Sequence, residues 1–213
     1  MTDLLTTPTL VVSQRAKLVE LTNQYEIRDA DGAPIGRIEQ EGQSGARKVL
    51  RFVTDIDQFL THRLSVYDAA GRKVVALKRP AKLFKSRVLV EDGHGRSIGT
   101  IVQQNVFGKI RFDLLGPAGE RMGQIRAENW RAWDFSIVDH TGTEVARIDK
   151  KFVGVLKATF TAADNYIVDI SPLLQGELRL LVIAAATSVD TALKQDARGL
   201  DLTDIGDIAD VLT

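Results

Sequence analysis

Val88-Leu-Val-Glu-Asp-Gly-His-Gly-Arg-Ser-Ile-Gly-Thr-Ile101 contains a unit that recurs through the chain. Counted from Gly95, apolar residues stand seven and five positions earlier (Val88, Val90) and an acid three earlier (Asp92). Apolar residues follow at plus three and plus six (Ile98, Ile101), with a small one at plus four (Gly99). The same frame fits Gly32, Gly71, Gly119 and Gly142, and Gly71, Gly95, Gly119 and Gly142 follow one another at 24, 24 and 23 residues. An apolar pair two residues apart marks a strand with one buried face. Asp-x-x-Gly marks the turn, because the Asp side chain accepts backbone hydrogen bonds and Gly adopts the left-handed conformation that closes a hairpin. Four units have this Asp (Asp29, Asp68, Asp92, Asp139), and the unit at Gly119 has Gly116 instead. Each unit is therefore a β-hairpin.

The small residue at plus four recurs as Gly36, Gly99, Gly123 and Ala146, with Val75 the exception. Either something bulky approaches the sheet there, or small residues relieve the taper of a closed sheet. Strand-like runs at Leu10–Gln14, Val49–Thr54, Lys109–Phe112, Val153–Thr161 and Tyr166–Ile170 bring the expected total to about a dozen. No linker interrupts them, so residues 10–196 are expected to form one mainly β domain. A flexible lead-in (1–9) is expected before it and an acidic tail (197–213) after it.

The most apolar segment follows the strands. Ser171-Pro172 resembles a helix start, and the helix is expected to run to about Lys194 or Gln195. Its charge-free stretch, Leu180 to Val189, is ten residues long, half of the roughly 20 that a bilayer requires. Yet Leu180 to Ala186 is apolar on every side, which a surface helix would not be. A helix enclosed by the strands satisfies both facts, so the expected fold is a closed antiparallel barrel of about twelve strands around a central hydrophobic C-terminal helix.

Composition excludes several functions. Lys plus Arg equals Asp plus Glu at 28 each, with 44% hydrophobic residues and no cysteine. Disulfides, thiolate catalysis and Cys-ligated zinc are therefore absent, and a reducing, cytoplasmic setting fits. His62, His94 and His140 are scattered without metal-ligand spacing, and no nucleophile elbow, phosphate loop or dinucleotide fingerprint occurs. The expectation is a protein that is not an enzyme. The most uneven charge lies in Gly71–Arg87, where Arg72, Lys73, Lys78, Arg79, Lys82, Lys85 and Arg87 occur without an acid. Anionic lipid headgroups would be attracted at about 1 kcal/mol per basic residue near a surface, giving a peripheral membrane partner. A solvated strand face balanced by acids elsewhere is the plain alternative. Nucleic acid is not expected, because no recognition helix or stacking motif accompanies the charge. Trp130, Trp133 and Phe135 suit a ligand site or a membrane interface, but alternation puts Trp133 and Phe135 on the buried face of one strand, as core. In the tail, Asp201, Asp204, Asp207 and Asp210 recur every third residue, as a frayed extension or a contact for an unknown protein partner.

Leu10–Asp29, the Asp-x-x-Gly hairpins, Asn129–Phe135 and the terminal helix together resemble the phospholipid scramblase and LURP-one-related proteins, of an actinobacterial type, which share the Tubby C-terminal-like fold. The resemblance covers about residues 10–195 and implies the twelve-stranded barrel around a helix. It also implies lipid association, and it raises calcium-dependent scrambling through the terminal helix as an alternative activity. The proline-rich region and cysteine cluster of scramblases have no counterpart in this sequence. The family's calcium segment is similar to Ala163–Ile170, with Asp164, Asn165 and Asp169 at oxygen-bearing positions. Ala162 stands where another Asp belongs, and a turn between the last two strands is the alternative. No other cofactor is implied.

Overall fold

In a computed structural model, residues 3–14, 24–41, 62–79, 87–105, 110–129, 134–149 and 165–201 are described. They contain twelve strands: β1 (Thr9–Gln14), β2 (Gln24–Arg28), β3 (Pro34–Glu41), β4 (His62–Asp68), β5 (Lys73–Arg79), β6 (Arg87–Asp92), β7 (Ser97–Gln103), β8 (Arg111–Leu115), β9 (Arg121–Asn129), β10 (Asp134–Asp139), β11 (Glu144–Asp149) and β12 (Asn165–Ile170). One helix follows, α1 (Gly176–Asp201). Every strand pairs with its sequence neighbour, and β1 pairs with β12 through Thr9↔Asp169 to Ser13↔Asn165, so the sheet closes into an up-and-down barrel. Val49–Thr54 and Val153–Thr161 lie outside the described residues, as do Trp130 and Trp133; Phe135 is fully buried in β10.

The repeat is a hairpin with a built-in bulge. In the unit at Gly95, the Gly95 amide donates to the Asp92 carbonyl (3.0 Å) and the Asp92 amide to the Arg96 carbonyl (2.9 Å), with Gly95 at φ 83°. The Asp92 carboxylate accepts from the His94 and Arg96 amides, both at 2.9 Å. Asp29, Asp68 and Asp139 accept in the same way from the residue four positions on. In the unit without Asp, the Glu120 carboxylate fills the space beside Gly116 that a side chain there would occupy.

Beyond each turn the register skips one residue: Val90 pairs with Gly99 but Glu91 with Ser97, leaving Ile98 as the extra residue. The same skip leaves Ile35, Val74, Met122 and Val145 unpaired. These are the plus-three apolar positions, out of step with plus six in a regular strand. A bulge sets two residues against one and so lets both turn inward. Accordingly Ile35 and Ile98 are buried, and the other three pack against the core.

Both explanations of the plus-four residue were open in the sequence, and close approach accounts for the glycines. A Cβ at Gly36 would stand 2.6 Å from the Tyr67 carbonyl oxygen, and one at Gly123 would stand 2.5 Å from that of Val138. At Gly99 it would overlap the Leu115 carbonyl. From inside the barrel, Leu181 lies 3.2 Å from the Cβ position at Gly99 and Leu178 3.5 Å from that at Gly123. The helix therefore rests on the glycines.

Helix α1 fills the barrel. Leu181 to Thr187 are all buried, and its backbone runs nearest to β7, β5 and β6. The expected start at Ser171 is corrected: residues 171–174 form a turn, with the Leu174 amide donating to the Ser171 carbonyl at 3.0 Å, and α1 begins at Gly176. Ser-Pro opens a turn as readily as a helix. The helix also runs past Gln195 to Asp201, into the segment expected as tail; residues 202–213 lie outside the described residues. Among the described residues no helix is long and apolar enough to cross a membrane.

The expected loose lead-in is also corrected from Asp3 onward. Leu4 is fully buried in the core and 3.3 Å from the Cβ position at Gly36. Thr7 is 5% exposed, and its carbonyl receives a 2.6 Å hydrogen bond from Arg179. Burying one leucine is worth about 2 kcal/mol, enough to hold a short segment in place.

Candidate functional site: the two ends of the barrel and their cations

Antiparallel connectivity makes the two barrel ends different. The five Asp-x-x-Gly or Gly-x-x-Gly turns, the lead-in and the entry of α1 all lie at one end, here the turn end. The connections β1–β2, β3–β4, β5–β6, β7–β8, β9–β10 and β11–β12 lie at the other, here the open end.

At the turn end the notable side chain is Arg179, which is 4% exposed. Its guanidinium donates to the Thr7 carbonyl (2.6 Å) and the Leu174 carbonyl (3.3 Å), and its Nε has no partner among the described residues. Burial pulls its pKa down, partly opposed by the nearby Asp3 carboxylate. A buried cation held by carbonyl dipoles fixes geometry more than it adds stability. Here it ties the first turn of α1 to the N-terminal segment.

Among the described residues, the cations singled out in the sequence do not form one cluster. Strand rise separates Arg72 from Arg79 by about 23 Å, at opposite ends of β5. Arg72 serves its own turn, with Nε donating to Asp68 at 2.7 Å. Lys73 is paired with Glu41 at 2.6 Å, and Lys78 with Glu91 at 2.5 Å. Glu41 also accepts from Ser65 (2.7 Å) and Tyr67 (3.0 Å), and the Lys73 ammonium and Ser65 hydroxyl hold its pKa down at about 2. The Tyr67 ring lies beneath the Arg37 guanidinium, 4.8 Å from its centroid. Arg79 and Arg87 stand where β5 ends and β6 begins, at the open end. Lys82 and Lys85, in the connection between them, lie outside the described residues.

Strand ends do collect a different set of cations. Arg63 is the second residue of β4, opposite Lys78, Arg79 ends β5, Arg87 opens β6 and Arg111 opens β8, with Arg126 opposite Arg111 on β9. Strand order and register thus place these residues as an arc on one part of the open rim. Arg63, Arg111 and Arg126 were missed in the sequence because they are far apart along the chain. The available signal was that each stands next to a connection at the same end of the meander.

Of the calcium candidates, Asp164 lies outside the described residues, and Asp169 accepts from the Thr9 hydroxyl at 2.8 Å. Asn165 and Asp169 are four residues apart on β12, about 13 Å along a strand. Among the described residues no cluster of three or more His, Cys, Asp or Glu has metal-binding geometry.

A closed twelve-strand meander around a buried C-terminal helix defines the class of protein: a barrel with a helical plug. The chain belongs to the Scramblase family, whose sequence model matches residues 1–193 and so includes most of that helix. A Saccharomyces cerevisiae relative, Altered inheritance rate of mitochondria protein 25, is 22% identical over 200 residues, covering 78% of this chain and 59% of that protein. The chain thus spans less than two thirds of that relative. An X-ray structure of an Arabidopsis thaliana protein matches 87% of this chain and 94% of its own, with a TM-score of 0.54 and 12% identity. That likeness concerns the fold, which is the Tubby-like, LURP-one-type barrel that the resemblance implied.

Proposed function

We propose that this Scramblase-family protein is a non-enzymatic, peripheral lipid-binding module whose helix stays inside the barrel and whose open rim meets anionic headgroups. The observation that carries the reading is the arc of rim cations at the end from which the 80–86 connection, with Lys82 and Lys85, departs and returns. Arg79, Lys82, Lys85 and Arg87 are the contact residues, because they stand at the open end where β5 leaves and β6 returns, whereas Arg72 and Lys73 stand at the turn end and Lys78 pairs with Glu91. Family membership supports a role at lipid, and enclosure of Leu181–Thr187 supports a helix that is retained.

Co-sedimentation with phosphatidylcholine vesicles, with and without phosphatidylserine, tests this. Binding is expected only to the anionic vesicles, falling with salt. Replacing the four contact residues by Glu should abolish it, and unchanged binding would overturn the assignment. A second reading, lipid scrambling with α1 leaving the barrel under calcium, is favoured by the family match, which includes α1. A fluorescent-lipid reduction assay in proteoliposomes, with and without calcium, separates the two. Acceleration over empty vesicles supports scrambling, and none removes it. Recruitment of a protein partner by the acidic tail is tested by a pull-down with and without residues after Arg198.

A further inference from the structure

Arg111 and Arg126 face one another across β8 and β9. The Ala127 amide donates to the Ile110 carbonyl at 3.0 Å, which makes Arg111↔Arg126 a non-hydrogen-bonded pair. In such pairs the Cα atoms are about 4.5 Å apart and the side chains are at their closest. Like charges placed directly opposite are destabilising. Among the described residues neither guanidinium has a carboxylate partner; Arg126 Nε donates to Gln124 Oε1 at 3.1 Å. The nearby acids are engaged elsewhere. Asp113 accepts from Gln124 at 3.0 Å and pairs with Arg121 at 3.6 Å, and Glu128 accepts from Ser136 at 3.1 Å. The two arginines, with Gln124, Ala127 and Glu128, line an open hollow of about 410 Å³.

We infer that this hollow is a seat for a dianionic phosphate group, held between Arg111 and Arg126. The planar fork of each guanidinium matches phosphate oxygens two at a time. A phosphate monoester carries a charge of about −1.5 to −2 at neutral pH, which offsets both cations and removes their repulsion. Gln124 is 8% exposed, and its amide, fixed by Asp113, holds Arg126 in position. The site takes two of the rim cations and so rests in part on the proposed reading of the open rim, but it lies on β8 and β9, apart from the β5–β6 contact residues, and the phosphate titration fails or succeeds without them.

The test titrates the full-length protein with sodium phosphate against sodium chloride of equal ionic strength, following amide and arginine Nε–H resonances. Saturable shifts at Arg111, Gln124 and Arg126 in phosphate alone are expected, with affinity lowered about tenfold or more in R126Q. Shifts produced equally by chloride, or an unaltered R126Q curve, would overturn the seat. Thermal melts provide a second readout. Phosphate should raise the melting temperature of wild type but not of R111Q/R126Q, which melts no lower than wild type in chloride. An equal rise in both proteins counts against the site. Vesicles with and without phosphatidic acid distinguish the source. Retention of wild type but not R126Q assigns a lipid headgroup; saturation by free phosphate without vesicle retention assigns a soluble phosphomonoester; neither response overturns the inference. Charge reversal at Arg79 and Arg87 should leave the phosphate shifts unchanged.

Discussion

Gly95 and Gly99 are four residues apart in one hairpin and both have positive φ, 83° and 150°, but only Gly99 is also crowded. Gly95 is there for its φ of 83°, with nothing within 4 Å of a Cβ, whereas a Cβ on Gly99 would overlap the Leu115 carbonyl and press on Leu181. Gly95→Ala should therefore cost about 1 kcal/mol. Gly99→Ala should cost about 3 kcal/mol, because β8 or the helix must shift. Urea unfolding of both variants checks this, and equal costs would show that the close approach is relieved cheaply. The turn glycine was legible because its partner, Asp92, is three residues away. The plus-four glycine was legible as a pattern but not as a cause, since the crowding carbonyl belongs to the next strand. Arg179 was legible only as a charge unsuited to a bilayer. Its partner Thr7 is 172 residues distant, and no local pattern connects them.

Among the elements, the hairpins share an acid-sensitive closure. Asp68, Asp92 and Asp139 all have pKa values below the usual 3.8. At Asp92 the Arg96 amide is the main cause and at Asp139 the Thr141 hydroxyl, while at Asp68 burial opposes the shift and Arg72 outweighs it. A carboxyl with a depressed folded pKa contributes stability that is full above its unfolded value and is lost as pH falls through the folded one. Glu41 acts in the same sense, with its contribution full above 4.5 and lost through about 2. The urea midpoint should hold between neutrality and about pH 5 and then fall steeply below pH 4. The triple variant D68N/D92N/D139N should show a shallower acid fall, and parallel curves would remove the turns as its origin. Period-two pairs and Asp-x-x-Gly were enough to find these strands. The bulge was hidden because a regular strand has no place for apolar residues at both plus three and plus six. The helix start was misplaced because Ser171-Pro172 begins a turn and a helix with the same residues.

At the scale of the molecule, closure depends on the two ends of the chain. β1 completes the ring by pairing with β12, and Leu4 seals the core beside β3. Leu4→Ala should cost about 2–4 kcal/mol by cavity formation, although Leu4 precedes the first strand. A chemical-denaturation shift below about 1 kcal/mol would show that the segment is only lightly seated. The barrel was foreseeable because twelve strands and one helix too apolar for water have few other arrangements. The charge pattern was not, because a run that is dense in sequence is spread along a strand, while cations distant in sequence meet at the rim. The single passage of the helix along the barrel has a practical consequence for attaching probes. The helix spans about 39 Å at 1.5 Å per residue, against about 23 Å for a seven-residue strand. It enters beside the turns and, being longer than the strands that enclose it, is expected to lead out on the open side, opposite the amino terminus. A fluorophore fused ahead of Asp3 would stand away from a surface touched by the open rim, and one placed after Asp201 would be trapped beneath it. Quenching by labelled lipid of one fusion and not the other would thus report which way up the barrel sits.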